Sequence, residues 1–549
     1  MLTLVALAAA GVVLFALALP PAPARVEAWH DGDLAARTVS GAYHIHTTRS
    51  DGLGDKASVA AAAQRAGLAF AILTDHGDGT RPPDPPAYID GVLVLDAVEI
   101  STDEGHYVAL DMPRAPYPLG GASDAVIEDV RRLGGFGIAA HPDSPKPALR
   151  WTNERGLVNG LEWLNTDSEW RKDSRARLVR AGLAYFFRPG PAIATLFDRP
   201  AATLDRWDRM TRSRPVVALA AADAHGGVGT RAEDTGRSLS GLIGIPSYEA
   251  SFRAFANRVV LDRPLTGHAT EDARAIFTAI RGGRVFAAID AFATPSLLDF
   301  SVEGGLDRSP MGSVLGDDSD GTIVARATLP RDAEIVVMHD GKELARGRDE
   351  IRRDVTGARG AFRVEVWTAG APGSPPMPWL VSNPIYFVDA IESPVAPAPS
   401  RSGTGVALFP WRIEKDPSSS AVLRMSSHDV TLEYKLGDGA RNSQFVALGT
   451  DLPHQAFSAI DLSLGGDRPA RISVQVRGAD GQRWGRSYYI DPAGTALHVP
   501  LTDLRPIAGT PAGSISSAPL TSLLLVIDLT NAAPGRSAVL KVFSSALLK

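Results

Sequence analysis

Between residues 40 and 290 the apolar positions come in short unbroken runs, each closing on polar residues, with Ala-rich helical stretches between them. The runs cover 43–46, 69–75, 92–100, 107–110, 136–140, 157–164 and 216–222. Unbroken runs of this length predict strands buried on both faces, as in a parallel sheet or barrel. Helices are predicted over 56–66, with Ser58 as a cap, over 123–133, and over 271–281, where Gly282-Gly283 stops the pattern. A long insertion rich in Arg and aromatics, 167–214, carries helical patterns at 174–183 and 201–210. It reads either as a lid over a site or as a helical pair packed on the outside.

After Asp290 the pattern becomes strand-like, with segments at 321–329, 333–339, 362–366 and 384–388 and a hairpin signal at Asp340-Gly341. A Pro/Ser/Ala-rich stretch, 393–405, reads as a linker. Beyond it, short strands recur at 430–435, 443–448, 470–476 and 523–529, the pattern of a β-sandwich. The predicted order is an α/β domain over 25–300, a small β-rich domain over 301–392, the linker, and a jelly-roll-like sandwich over 406–549. That last architecture resembles carbohydrate-binding and galactose-binding-like domains. Trp484, Tyr488 and Tyr489 are its candidates for stacking on a glycan, against the alternative of core packing.

Residues 2–19 form one apolar run, followed by prolines and small residues to Ala22-Pro23-Ala24. A run of about 18 apolar residues can just span a bilayer, whereas the A-x-A ending suits a cleaved export signal. Either reading of 1–24, signal peptide or membrane anchor, exports the rest of the chain. The protein is then expected in the periplasm or outside the cell, free or tethered to the membrane.

The net charge of −6 lacks the basic footprint of a nucleic-acid binder, so no dedicated nucleic-acid partner is expected. The chain has no cysteine, which excludes disulfides, thiolate metal sites and cysteine nucleophiles. Any metal must be held by His, Asp and Glu.

The chemistry is concentrated in histidines. His44, His46, His76, His106, His141 and His225 all stand at or near the ends of predicted strands. His44 and His46, two apart on one strand, would point the same way and could share one cation. A lone histidine is ordinarily a core residue, but six at strand ends, accompanied by Asp51, Asp75, Glu99 and Asp223, argue for metal. In α/β barrels the carboxyl ends of the strands meet at one mouth, so residues far apart in sequence can converge. Imidazole and carboxylate donors without thiolate suit Zn, Mn or Fe in water-activating roles.

Five motifs carry a resemblance. They are His44-Ile45-His46-Thr47 with Ser50-Asp51-Gly52, Leu73-Thr74-Asp75-His76, Val98-Glu99-Ile100-Ser101, Ala140-His141-Pro142, and Ala222-Asp223-Ala224-His225. In order and spacing they resemble the PHP (polymerase and histidinol phosphatase) domain, over about half the chain. The resemblance implies a distorted (β/α)7 barrel with three divalent metal ions. It implies that His44, His46, Glu99 and Asp223 hold one metal, that Glu99 bridges to a second held with His141 and His106, and that Asp51, His76 and His225 hold a third. Asp75 would orient a histidine through its other nitrogen, with a cap or turn role as the alternative.

The implied activity is hydrolysis of a small phosphate ester by metal-activated hydroxide, since coordination brings the pKa of water down to roughly 7. Asp223 or His225 would protonate the leaving oxygen. Arg49, Lys56, Arg231, Glu162 and Asn165 are candidate substrate contacts, each with an ordinary structural role as the alternative. Two other functions stay open: amide or other ester hydrolysis on the same metals, and a non-catalytic scaffold that binds without turnover.

Overall fold

Unbroken apolar runs bury both faces of their strands, and the computed structural model shows this throughout the first half of the chain. It describes residues 19–26, 31–227, 244–304, 307–316, 320–388, 406–408, 410–426, 429–441, 443–453, 455–507, 509, 510, 515 and 519–548. Most of the apolar segment 1–24, the linker 393–405, Arg231, His30, His428 and His454 lie outside the described residues. Among the described residues no helix is long and apolar enough to cross a membrane. The chain divides into two units, one of Met1–Gly77, Pro83–Met112 and Gly134–Ile391, the other of Asp78–Pro82, Pro113–Leu133 and Glu392–Lys549.

The first unit is α/β. In chain order its elements are β1 (Thr38–Tyr43), α1 (Lys56–Arg65), β2 (Phe70–Leu73), β3 (Val92–Asp96), β4 (Val98–Thr102), β5 (Gly105–Leu110), β6 (Phe136–Ala139) and β7 (Gly160–Asn165). Then come α2 (Thr166–Lys172), α3 (Arg175–Tyr185), α4 (Pro189–Ala194), α5 (Ala201–Thr211), β8 (Val217–Ala221), α6 (Tyr248–Ala254), β9 (Ala256–Val260), α7 (Ala269–Arg281) and β10 (Val285–Ala288). Every residue of β2, β5, β6, β7 and β8 is buried. One sheet runs β8-β7-β6-β5-β4, and a second contains β10-β9-β1-β2-β3. Parallel bridges join the two sheets at Ile45–Ala224, just beyond the ends of β1 and β8, and at His76–Glu99, between the end of β2 and the start of β4. The pairing is not uniformly parallel: β5 is antiparallel to β4 and β6, and β9 is antiparallel to β1 and β10, while β6 pairs parallel with β7; the two-residue link between β4 and β5 is too short for a helical crossover.

The edge of β8 shows how polar side chains complete a sheet. Asn257 and Asn383 each use the side-chain amide to mimic a neighbouring strand, accepting from Ala220 N (3.0 Å) and Ala218 N (2.7 Å) and donating to Ala220 O (2.8 Å) and Ala218 O (2.9 Å). Buried backbone groups without a ladder partner are thereby satisfied.

The helices follow their periodicity. α7 buries Ala273, Ile276, Phe277 and Ile280 on one face and ends at Gly282, with Gly283 at φ 65°. It begins at Ala269, two residues before the predicted start. The cap of α1 is Asp55, whose carboxylate accepts from Ser58 N, rather than Ser58 itself.

Residues 301–392 supply two sets of strands. Leu298–Gly304, Asp307–Pro310, Thr322–Ala327 and Glu350–Asp354 form a four-stranded sheet of their own. Gly360–Trp367, Leu380–Ser382 and Ile385–Phe387 instead extend the sheet of β10, with Leu380–Ser382 paired to β10 directly. The Asp340-Gly341 turn, both residues at positive φ, closes the predicted hairpin.

The second unit is a β-sandwich of two six-stranded sheets. Its core takes Leu432, Ile460, Leu462 and Leu540 from one sheet and Leu448, Ile472, Val474 and Leu525 from the other. The helix Ser123–Arg132, which the sequence placed in the α/β domain, groups with this unit. There Arg471 is fully buried against Asp129 (2.7 Å) and reaches Glu128 (2.7 Å).

Candidate metal centre

His44 and His46, His76, His141 and Asp223 follow the ends of β1, β2, β6 and β8, whereas Glu99, His106 and Glu162 stand within β4, β5 and β7. The sequence reading carried the first strand through His46, but β1 stops at Tyr43. His44 adopts φ 63°, in the left-handed region, and so turns the chain before Ile45 bridges Ala224. His141 (φ 29°) and Asp223 (φ 44°) do the same after β6 and β8. Such backbone costs on the order of 1–3 kcal/mol per residue and persists only where the surroundings impose it. Here it swings three side chains into one centre. His44 and His46 still meet, Nε2 to Nε2 at 3.1 Å, through this turn rather than through the pleat of a strand.

Glu99, fully buried on β4, is the hub. Its Oε1 lies 2.8 Å from His106 Nδ1 and 2.8 Å from His141 Nε2. Its Oε2 lies 3.3 Å from His44 Nε2, 3.3 Å from His46 Nε2 and 3.2 Å from His76 Nδ1. Asp223 Oδ1 stands 3.6 Å from His44 and 3.4 Å from His46. Asp51 gathers the outer histidines, with Oδ1 3.3 Å from His46 Nδ1 and Oδ2 3.6 Å from His76 Nε2 and 3.3 Å from His225 Nε2. Four triads have donor atoms within 4.8 Å of one another: His44-Glu99-His141, His44-His46-Asp223, His46-His76-Glu99 and His46-Asp51-His225. Among the described residues these triads bring together eight of the nine expected ligands, and His106 joins them through Glu99 Oε1.

Such a density of ionisable groups shifts their protons. Burial disfavours charge on His44, but Glu162, Asp223 and Glu99 more than offset it and hold His44 well above its ordinary value. His46 goes the other way, pushed down by burial and by the neighbouring histidines despite Asp223 and Glu99. Against burial, Glu99 and Asp51 push His76 up to about 9, and Asp51 and Asp223 push His225 up to about 9. Asp51, Glu99 and Asp223 are all held below the ordinary carboxylate range by the same histidines, although burial opposes it. Several mutually repelling imidazoles around three carboxylates form a donor set suited to divalent cations, which can take the place of these protons.

The surrounding contacts are as specific. Glu162, on β7 and buried, accepts from His44 Nδ1 at 2.5 Å through Oε1. Its Oε2 accepts the backbone N–H of His141 at 2.7 Å and Asn165 Nδ2 at 2.9 Å. Asn165 Nδ2 also donates to Asp223 Oδ2 at 3.1 Å, and His141 Nδ1 meets the Leu149 carbonyl at 2.9 Å. Glu162 and Asn165, considered as substrate contacts from the sequence, lie behind the donor cluster and position it.

Asp75 takes the turn role rather than the histidine contact. It meets no histidine; it accepts from Thr47 N (2.8 Å), Thr47 Oγ1 (2.8 Å) and Ser50 Oγ (2.7 Å), and so fixes the loop that carries His46 and Asp51. Gly52 is required in that loop, because a Cβ there would stand 2.3 Å from the His46 carbonyl oxygen. Tyr248, which no sequence motif marks, donates its hydroxyl to that same carbonyl at 2.8 Å. Arg49 is committed to Asp96 and Asp84, both at 2.8 Å, and Lys56 sits exposed 3.5 Å from Asp84. Of the two expected proton donors, Asp223 is wedged among histidines, while His225 is the more exposed.

Elsewhere, histidines take ordinary roles: His339 stacks on Phe362, His498 meets Asp461 at 2.7 Å, and His268 precedes α7. In the sandwich, Trp484 lies in the core and cannot stack on a sugar; Tyr488 packs against that core, and Tyr489 lies beneath the Arg132 guanidinium.

No family model and no curated relative matches the chain. Among solved structures, it is similar to a two-domain protein from Bacteroides vulgatus described as containing a predicted PHP-like metal-dependent phosphoesterase. The identity is 13%, over 66% of this chain and 99% of that one, with a TM-score of 0.30. The sandwich is similar to the family 11 carbohydrate-binding module of a Clostridium thermocellum cellulase, at 14% identity over 28% of this chain and 96% of that one, with a TM-score of 0.21. Likenesses at TM-scores this low carry no weight for activity, and the functional reading rests on the site's own residues.

Proposed function

We propose that the chain is a metal-dependent hydrolase of small phosphate esters, with three divalent cations, Zn, Mn or Fe, at the mouth of a distorted (β/α)7 barrel. The observation that carries this reading is the division of Glu99, whose two oxygens face two separate sets of histidines. A buried carboxylate placed in this way is suited to bridge two cations. His44, His46 and Asp223 complete one set, His106 and His141 the second, and Asp51, His76 and His225 form the third. The antiparallel pairings of β4-β5-β6 and of β9 would be the distortion of such a barrel.

Cations in this donor set would supply Lewis acidity, bringing water toward a pKa of about 7 and neutralising phosphate oxygens. The chain's own groups hold and orient that set: Glu162 fixes the ring of His44, Asn165 fixes Asp223, and Asp75 fixes the loop of His46 and Asp51. With the donor set filled, Asp223 and His225 both serve as ligands, the second ring nitrogen of His225 being held by the Asp223 carbonyl, and neither is assigned the proton transfer to the leaving oxygen.

The test is elemental analysis of the purified chain combined with a substrate panel of p-nitrophenyl phosphate, bis-p-nitrophenyl phosphate, p-nitrophenyl acetate and a p-nitroanilide. The expected result is bound divalent metal and hydrolysis of at least one phosphate ester that is lost in His44→Ala and His46→Ala. Metal with hydrolysis of the acetate or anilide alone would move the reading to another hydrolase. A chain that takes up no metal would make it a scaffold.

A further inference from the structure

Helix α3 is built inside out. A surface helix ordinarily turns its large apolar side chains toward the protein. α3 turns Ala181 and Ala184 inward and leaves Val179 63%, Leu183 58%, Phe186 73% and Phe187 63% exposed. The spacing i, i+4, i+7, i+8 places these four on one stripe. The last turn extends far enough to include the two phenylalanines, since Phe186 keeps helical dihedrals and the amides of Phe187 and Arg188 both bond to the Ala184 carbonyl. A contiguous exposed apolar face of this kind marks an interaction surface.

Two observations identify what covers it. On a wheel of 3.6 residues per turn the stripe falls between Arg175 and Arg180, both exposed, so cationic side chains border it on each side. Cationic rims around an apolar stripe with aromatic residues are the pattern of helices that lie in the interface of an anionic bilayer. The second observation is the position of Pro20, the residue that follows the N-terminal apolar run in sequence. Arg188, which follows the stripe directly, donates from Nη1 to the carbonyl of Pro20. The stripe is therefore next to a residue one position beyond the segment long enough to enter a bilayer. A second copy fits less well, because a symmetric pairing of this face would bring its arginine borders close to their own kind.

We propose that the outward face of α3, Val179, Leu183, Phe186 and Phe187 with Arg175 and Arg180, lies in the headgroup region of the same bilayer that receives the N-terminal apolar segment.

The absence of cysteine makes the test direct. Single cysteines are introduced in the full chain as L183C, F187C and, as a control on the sandwich, V422C, each carrying an environment-sensitive fluorophore. The chains are mixed with phosphatidylethanolamine/phosphatidylglycerol vesicles containing a lipid-borne quencher, and association is followed by co-sedimentation. The expected result is a blue shift and quenching at 183 and 187 and neither at 422. Vesicle association without any change at 183 and 187 would overturn the proposal, since the N-terminus alone would then hold the chain. Failure to associate with vesicles would overturn it too. A change at 183 and 187 that needs no vesicles and grows with protein concentration would overturn it in favour of self-association.

Discussion

Glu162 accepts a hydrogen bond from His44 at 2.5 Å where neither side chain reaches solvent. The contact fixes which imidazole nitrogen of His44 is free to face Glu99 and Asp223. Partners of this kind behind a ligating histidine typically contribute 10–100-fold in metal affinity or activity. Glu162→Gln is therefore expected to weaken metal binding by about 10–100-fold while leaving the fold intact, and saturating metal should restore part of the hydrolysis. Metal titration followed by hydrolysis at each metal concentration checks it. Unchanged affinity would mean that Glu162 serves packing only.

Glu99→Ala should be more severe. It removes the carboxylate facing five histidines and leaves Oε1-side and Oε2-side groups to repel one another. The expected outcome is loss of at least two cations per chain by elemental analysis and loss of hydrolysis to background. Retention of all metal would show that the bridge assigned to Glu99 is wrong.

Protons and cations compete for these groups. His76 and His225 stand near 9 without metal. Cation binding at neutral pH must therefore release protons, and affinity must fall as pH drops below about 9. The same shifts act on the metal-free fold. A histidine raised in the folded state adds stability that is full below its unfolded value of about 6.5 and disappears as pH rises through the folded value. In the presence of chelator, thermal stability should therefore decline between pH 7 and 10, whereas saturating metal should flatten or reverse this trend. Calorimetric titration in buffers of different ionisation enthalpy measures the proton release.

Gly52→Ala tests the close approach of the loop to His46. The added Cβ meets backbone that cannot move without displacing His46. Overpacking of this kind costs about 1–3 kcal/mol, so a lower Tm is expected together with weaker metal binding. A variant with a lower Tm but full metal affinity would show that the loop relaxes elsewhere.

In the second unit, Arg471→Ala would take from buried Asp129 its partner at Oδ2 and leave Arg132 and Tyr117 on Oδ1. Breaking a buried pair from one side costs about 3–5 kcal/mol, and the remaining Arg132 contact makes the expected loss smaller than that. Denaturant unfolding should show that loss in the sandwich transition, while metal content stays unchanged.

The sequence by itself determined the donors. Short unbroken apolar runs that close on His, Asp and Glu suit buried strands with polar ends, and His44, His46, Asp51, His76, Glu99, His106, His141, Asp223 and His225 could be named from that pattern together with the motif resemblance. Local signals also gave α7, the 340–341 turn and the sandwich strands, because periodicity and turn chemistry act over a few neighbouring residues. Only the tertiary structure decided how the donors are shared. The division of Glu99 between two histidine sets, the placement of Glu162 behind His44 rather than before a substrate, and the use of Asp75 to hold Thr47 and Ser50 all depend on contacts across many residues. So do the burial of Trp484 in the sandwich core and the outward stripe on α3, since the same apolar letters read as core until the packing shows which face of the helix or strand meets the protein.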